Sequence, residues 1–304
     1  MKRYTAIFLS CLISISLLTA CAGSMPSPAG SAALPAGSLG DQIPASESAV
    51  TYTLEQNVRK NSATSDDGVV LATCRYELPH LRAYRADGTE ITDADAQTDE
   101  EKQALETVSV FNGKFEDWVS GVDFQEIADW ARQNYQMRPE DFQNNGIAYT
   151  AELDTASWQT EHFISISATY YTYTGGAHPN TVLLAWNFDL DAGAFVEPTV
   201  VAEDEQLFQQ AVTGEIIRQA DEKARAEGME PKDFYWENYQ DIAADWASYA
   251  VSFDADGMTV GFSQYEMACY AAGEQVFSLS NEFLKPYLSD YGRQLLCLPA
   301  PDSE

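Results

Sequence analysis

Between Ile164 and Tyr170 the chain alternates strictly: Ile164, Ile166, Ala168 and Tyr170 are interleaved with Ser165, Ser167 and Thr169. A two-residue period puts alternate side chains on opposite faces of a strand, so this run predicts a sheet with one buried face. It continues through Tyr171-Thr172-Tyr173-Thr174 into Gly175-Gly176, where the chain must turn. A partner strand is expected over Val182–Leu190, followed by a turn at Asp191-Ala192-Gly193.

Other segments fill in around this pair. Val69–Leu78 reads as a strand and Asp87-Gly88 as a turn. From Thr98 to about Ala131 the apolar spacing is helical, with Gly113 and Gly121 as candidate breaks. Residues 204–226 form a second helix, in which Phe208, Val212 and Ile216 share one face. Tyr249–Phe253 and Met258–Phe262 are two strands joined by a hairpin turn at Asp254-Ala255-Asp256-Gly257. Glu274–Leu279 is extended, and Ser280 caps a short helix toward Leu288 that Pro286 interrupts. Strands and helices fall in runs and do not alternate. The expected class is α+β, with antiparallel sheets, helices packed on one side and two intimately joined subdomains.

The first 49 residues have a different character. Lys2 and Arg3 precede an apolar run from Ala6 to Leu18, and the segment closes on Leu18-Thr19-Ala20-Cys21. A basic start, a short apolar middle and a small-residue end make a secretory signal, too short to span about 30 Å of hydrocarbon comfortably. The ending resembles the lipobox of bacterial lipoproteins. That resemblance implies cleavage after residue 20, lipidation of Cys21, and attachment at the extracytoplasmic face of the cell membrane. Residues 22–49, rich in Ala, Gly, Ser and Pro, read as a flexible tether.

The whole chain carries a formal charge of −30. Lys2 and Arg3 are the leader's only charges, so the mature form is more acidic still. Coulomb repulsion opposes binding to nucleic acid or to anionic headgroups, whereas a cationic partner would be attracted. Besides Cys21, the cysteines after the leader are Cys74, Cys269 and Cys297, without a CxxC pair. Buried free thiols are the simplest expectation, although one bridge among them is possible.

Two motifs carry a wider resemblance. Tyr173-Thr174-Gly175-Gly176-Ala177-His178 is followed by Asn187-Phe188-Asp189-Leu190, and Phe262-Ser263-Gln264-Tyr265-Glu266 is followed by Tyr270-Ala271-Ala272-Gly273. Together they resemble the extracytoplasmic module of RsiV-like anti-sigma factors and of the N-terminal region of PdaC-like peptidoglycan deacetylases. The resemblance implies a DUF4163-like subdomain over 50–195, a DUF3298-like subdomain over 196–291 and a tail over 292–304. It also implies a binding role, toward lysozyme in the RsiV-like proteins and beside a separate catalytic domain in the deacetylases. Cys269 stands where that family often has proline. A chain lipidated at Cys21 would have no route to a cytoplasmic sigma factor.

The candidate ligand-binding residues are Tyr173, Gly175, Gly176, His178, Asn180, Tyr265, Glu266 and Tyr270. Two readings stand beside each other. The Gly-Gly-Ala-His loop is either a ligand contact or a structural joint in which His178 bonds to backbone or to a carboxylate such as Glu266. With only His80, His162 and His178, and no HExxH, GxSxG or phosphate-binding loop, no metal and no cofactor are expected. Asp189 and Asp191 alone are weak calcium ligands. The expected function is a non-catalytic envelope module that binds a cationic, lysozyme-like extracellular protein or peptidoglycan. The alternative is a glycan-modifying enzyme that uses carboxylates.

Overall fold

The computed structural model describes residues 50–299 apart from 145, 147 and 248. The expected signal segment, Cys21 and the tether lie outside the described residues. Among those described, no helix is long and apolar enough to cross a membrane.

The described residues start with a long antiparallel hairpin, β1 (Val50–Thr64) and β2 (Val70–Arg85), paired from Val50↔Arg85 to Ala63↔Ala72. Three helices then cross over: α1 (Asp99–Gly121), α2 (Phe124–Met137) and α3 (Pro139–Gln143). Thr98 starts α1 with a complete capping box, accepting from the Glu101 N–H while Glu101 reaches back to the Thr98 N–H. Gly113 lies inside α1 without breaking it. Gly121 ends the helix, because Asp123 immediately caps α2 through the Glu126 N–H.

The chain returns as β3 (Tyr149–Gln159), β4 (Phe163–Tyr173), β5 (Asn180–Asp189) and β6 (Ala194–Val196), an antiparallel meander. The six strands lie in chain order in one sheet. One pair departs from the antiparallel expectation: β2 and β3 are parallel over Ala72–Tyr76 and Tyr149–Leu153, since a helical crossover lies between them. That pairing stops at Tyr76, and Pro79 just beyond cannot donate to a ladder. Past it, Asn112 of α1 takes the place of a strand. Its Oδ1 accepts from the Leu81 N–H at 2.8 Å and its Nδ2 donates to the Leu81 carbonyl at 3.0 Å.

The rest of the chain builds a smaller layer. It contains α4 (Glu205–Ala226), α5 (Pro231–Phe234), α6 (Tyr239–Ala244) and a three-stranded sheet of β7 (Ala250–Phe253), β8 (Gly257–Phe262) and β9 (Gln275–Ser280). Phe208, Val212, Ile216, Ala220 and Ala224 form the buried stripe of α4. Gly257 closes the β7–β8 turn at φ 152°, where a Cβ would fall 2.0 Å from the Leu279 carbonyl oxygen. The Asp254 carboxylate accepts from the N–H groups of Asp256 and Gly257, so this run is a hairpin turn.

The last helices among the described residues are α7 (Asn281–Leu284) and α8 (Asp290–Leu295). Residues 292–296 pack into the body. Leu295 is fully buried, its carbonyl accepts from the Thr160 hydroxyl, and Gly292 lies against the Val201 carbonyl with no room for a Cβ.

Where the two sheets meet, the expectation of a single buried face for β4 is corrected. Ile164, Ile166 and Ala168 face the core that includes Phe111 and Phe115 of α1. The opposite face is covered by β7, so Ser165 is as buried as its apolar neighbours and Phe163 belongs to the second core. The Ser165 hydroxyl donates to Asn187 Oδ1 at 2.8 Å and accepts from the Phe253 N–H at 2.7 Å. Asn187 Nδ2 donates to the Val251 carbonyl at 2.9 Å. Two side chains of one sheet thereby satisfy the free backbone edge of the other. The cysteine expectation is also corrected: all three are free, but only Cys74 is buried, and Cys269 and Cys297 are exposed.

Replacing Asn187 by Leu leaves the Val251 carbonyl buried and unpaired. A loss of about 2–3 kcal/mol is expected in denaturant unfolding, against little change for Ala at the exposed Asn180. A pH prediction follows from Glu101. Hydrogen bonding to Arg85 and to the backbone N–H groups of Gln97 and Thr98 holds its carboxyl down at about 2. Its unfolded value is about 4.3. Its contribution is therefore complete above pH ~4.3 and is lost as pH falls toward 2. Glu101→Gln should flatten the acid limb of a stability–pH curve in that window.

Candidate functional site

The β4–β5 connection and the β8–β9 connection come together at one end of the large sheet. Gly175 and Gly176 make the first turn possible, with φ of 88° and 97°. They differ in their surroundings. A Cβ on Gly175 would lie 2.7 Å from the Tyr149 hydroxyl, whereas one on Gly176 would meet open space. The Tyr173 hydroxyl donates to the Gly176 carbonyl at 3.1 Å and holds the turn to the end of β4.

Beyond the turn, the outer edge of β5 is met by residues that follow β8. The Thr181 N–H donates to Gln264 Oε1 at 3.0 Å, the Leu183 N–H donates to the Ser263 hydroxyl at 3.1 Å, and the Gln264 N–H donates to the Thr181 carbonyl at 3.4 Å. Gly261 allows this approach, since a Cβ there would lie 2.8 Å from a Leu183 methyl.

His178, Tyr265 and Tyr270 meet across this seam. The imidazole stacks on Tyr270 with ring centroids 3.8 Å apart and planes 24° from parallel. Tyr265 stands 5.6 Å from Tyr270 and 6.1 Å from His178, centroid to centroid. His178 Nδ1 lies 3.1 Å from the Pro179 carbonyl, which can only accept. Nδ1 therefore carries the proton of the neutral ring. Nε2 is left as the acceptor for the Tyr265 hydroxyl at 3.3 Å. Tyr265 is 49% exposed and has φ of 67°, a left-handed conformation that costs a non-glycine residue roughly 1–2 kcal/mol. The result is a half-exposed aromatic ledge of His178, Tyr265 and Tyr270.

Of the predicted residues, His178, Tyr265 and Tyr270 converge, and Tyr173, Gly175 and Gly176 shape the loop beneath them. Asn180 opens β5 opposite Thr172 and is exposed. Glu266 does not join the ledge. Its carboxylate turns inward and accepts from the Ser263 N–H at 2.5 Å, and burial pushes its pKa up against the lowering effect of that bond. The alternative of a His178–Glu266 bond is thus replaced by His178–Tyr265, because Glu266 is occupied in closing its own turn. Gln264 and Ser263 belong to the second motif but are not among the predicted site residues, and Trp236, whose indole N–H donates to the Tyr265 carbonyl at 3.0 Å, lies outside both motifs. Asp189 and Asp191 serve the fold: Asp189 is buried and accepts from the Tyr291 hydroxyl, and Asp191 faces His162.

Residues 122–181, from the start of α2 to the start of β5, match the family model "Deacetylase PdaC". The fold resembles that of a DUF3298-family protein from Bacteroides fragilis, with a TM-score of 0.52 at 14% identity, over 81% of this chain and 97% of that one. A DUF3298-family protein from Pseudomonas aeruginosa aligns over 82% of this chain and 97% of its own length, with a TM-score of 0.46 at 10% identity. No curated protein matches in sequence. The chain thus contains a segment similar to the PdaC family model over residues 122–181, and its mixed, largely antiparallel α+β fold is similar to that of a DUF3298-family structure.

The two glycines separate backbone strain from crowding. Gly176→Ala should cost about 1–2 kcal/mol, the left-handed term alone. Gly175→Ala should cost more, because Tyr149 must also move, and the difference can be read by paired denaturant titrations.

Proposed function

We propose that this protein is a cell-envelope lipoprotein, held through Cys21 at the extracytoplasmic face of the membrane, whose module binds an extracellular ligand without catalysis. The observation that carries the reading is the aromatic ledge, assembled from both sheets and left half-exposed. Both His178 nitrogens and the Tyr265 hydroxyl proton are engaged within it, so the ledge turns mainly ring faces and oxygen lone pairs outward. Such a surface suits a ligand that brings its own donors, above all a cationic side chain resting on an aromatic face. The net charge of −30 adds long-range attraction for the same class of partner. A cationic, lysozyme-like protein fits both properties. Peptidoglycan, whose sugars carry donors, fits the ledge but gains less from the charge.

A second reading is a glycan-modifying enzyme. The match of residues 122–181 to "Deacetylase PdaC" favours it, and Glu266, whose pKa burial raises, is its candidate carboxyl.

A soluble form comprising residues 50–304 can be tested against lysozyme and purified peptidoglycan at low and moderate salt. Binding to lysozyme that weakens with salt is expected. His178→Ala and Tyr265→Phe should each weaken it about five- to tenfold without lowering Tm, within the usual worth of one or two contacts. Binding to neither probe removes the ligand assignment, and a large fall in Tm makes the loop a structural joint. Turnover of wall fragments abolished by Glu266→Gln would establish the enzyme instead.

A further inference from the structure

We infer that Trp236 is a positioning residue for the ledge, holding Tyr265 in its left-handed conformation so that its hydroxyl meets His178. The inference rests on reading the ledge as the binding surface. Trp236 lies in the connection between α5 and α6, remote in sequence from both motifs. It directs both of its donors at the turn that carries Tyr265. Its backbone N–H donates to the Met267 carbonyl at 3.0 Å, and its indole N–H donates to the Tyr265 carbonyl at 3.0 Å. One residue earlier, Tyr235 forms an antiparallel bridge with Ala268. Residues 235–236 thus lie along 267–268 as a minimal strand pair, and the indole extends that grip to the strained residue.

The geometry explains why this particular carbonyl matters. Gln264, the residue before Tyr265, is anchored to Thr181 on β5 by both its backbone N–H and its side chain. The peptide group that follows Tyr265 is fixed by the indole. That same peptide group is also held at its N–H, which Glu266 donates to the Ser263 carbonyl at 3.1 Å, and a sparsely populated conformation persists only when the surroundings over-determine it. Here the consequence is that the Tyr265 ring is projected outward beside His178. Trp236 is itself 38% exposed, so filling the core does not account for its placement.

The test uses the full chain with 15N-labelled histidine and starts without any ligand. The wild-type His178 signals should show the Nδ1–H tautomer with Nε2 accepting a hydrogen bond. Tyr265→Phe, which removes the hydroxyl, gives the reference for a lost bond. Trp236→Phe keeps a ring and removes the indole donor, and its His178 signals should move at least half of the way to that reference. His178 signals that stay in place while Tm falls overturn the inference and leave Trp236 as packing alone. Should the variant fail to fold, exchange of the indole proton in the wild type decides. Slowed exchange supports the bond to Tyr265, and exchange as fast as that of a solvent-exposed indole refutes it. With lysozyme as the probe, Trp236→Phe should weaken binding about fivefold, the effect of one hydrogen bond. Equal affinity in variant and wild type also overturns the inference. A wild type that binds neither lysozyme nor peptidoglycan refutes the binding-surface reading, while the His178 signals still decide the role of Trp236.

Discussion

The buried pair Ser165–Asn187 is the contact on which the rest of the architecture depends. The edge of a three-stranded sheet, placed against the face of a six-stranded one, brings backbone N–H and carbonyl groups into a water-free interior, where unpaired groups are costly. Ser165 and Asn187 supply the missing acceptor and donor for Phe253 and Val251. Because the two side chains also bond to each other, each is held in the orientation the junction requires. Without them β7 could approach β4 and β5 only by leaving its edge unsatisfied.

The same solution recurs twice. Asn112 closes β2 where β3 peels away, and Gln264 with Ser263 closes the outer edge of β5. In each case an amide or hydroxyl side chain stands in for a strand. The third instance has functional weight, since the residues that close β5 are followed directly by Tyr265 and then Tyr270. Closing the edge draws the β8–β9 connection against the β4–β5 loop and sets the rings of one beside the imidazole of the other. The aromatic ledge is therefore a product of how the sheets are sealed.

Much of the fold was legible. The buried stripe of α4, the helix starting at Thr98, the strands flanking Gly175-Gly176 and the Asp254–Gly257 turn all declare themselves through local periodicity or turn chemistry. Three strands escaped: β1, β3 and the three-residue β6. Residues 55–62 of β1 are exposed, so no apolar alternation marks them, and β3 alternates only over its first half before it emerges into solvent. The convergence of His178, Tyr265 and Tyr270 was legible only as two motifs, because residues 87 positions apart carry no mutual signal in a single sequence. Trp236 gave no signal, since its role depends on a carbonyl whose direction is fixed elsewhere.

By itself the sequence determined the α+β class, most of the elements, the acidic character and the residue types at the two loops. These depend on local propensity, periodicity and composition, which need no long-range information. Only the tertiary structure decided that the serine face of β4 is buried, that β2 and β3 run parallel, and that Glu266 turns inward while Tyr265 turns outward. Those outcomes follow from which backbone edges remain open once the sheets have formed and from which side chains are within reach to close them. Ser165 shows the difference most directly: its place in an alternating run marks it for solvent, and a strand arriving about ninety residues later makes it the centre of the junction.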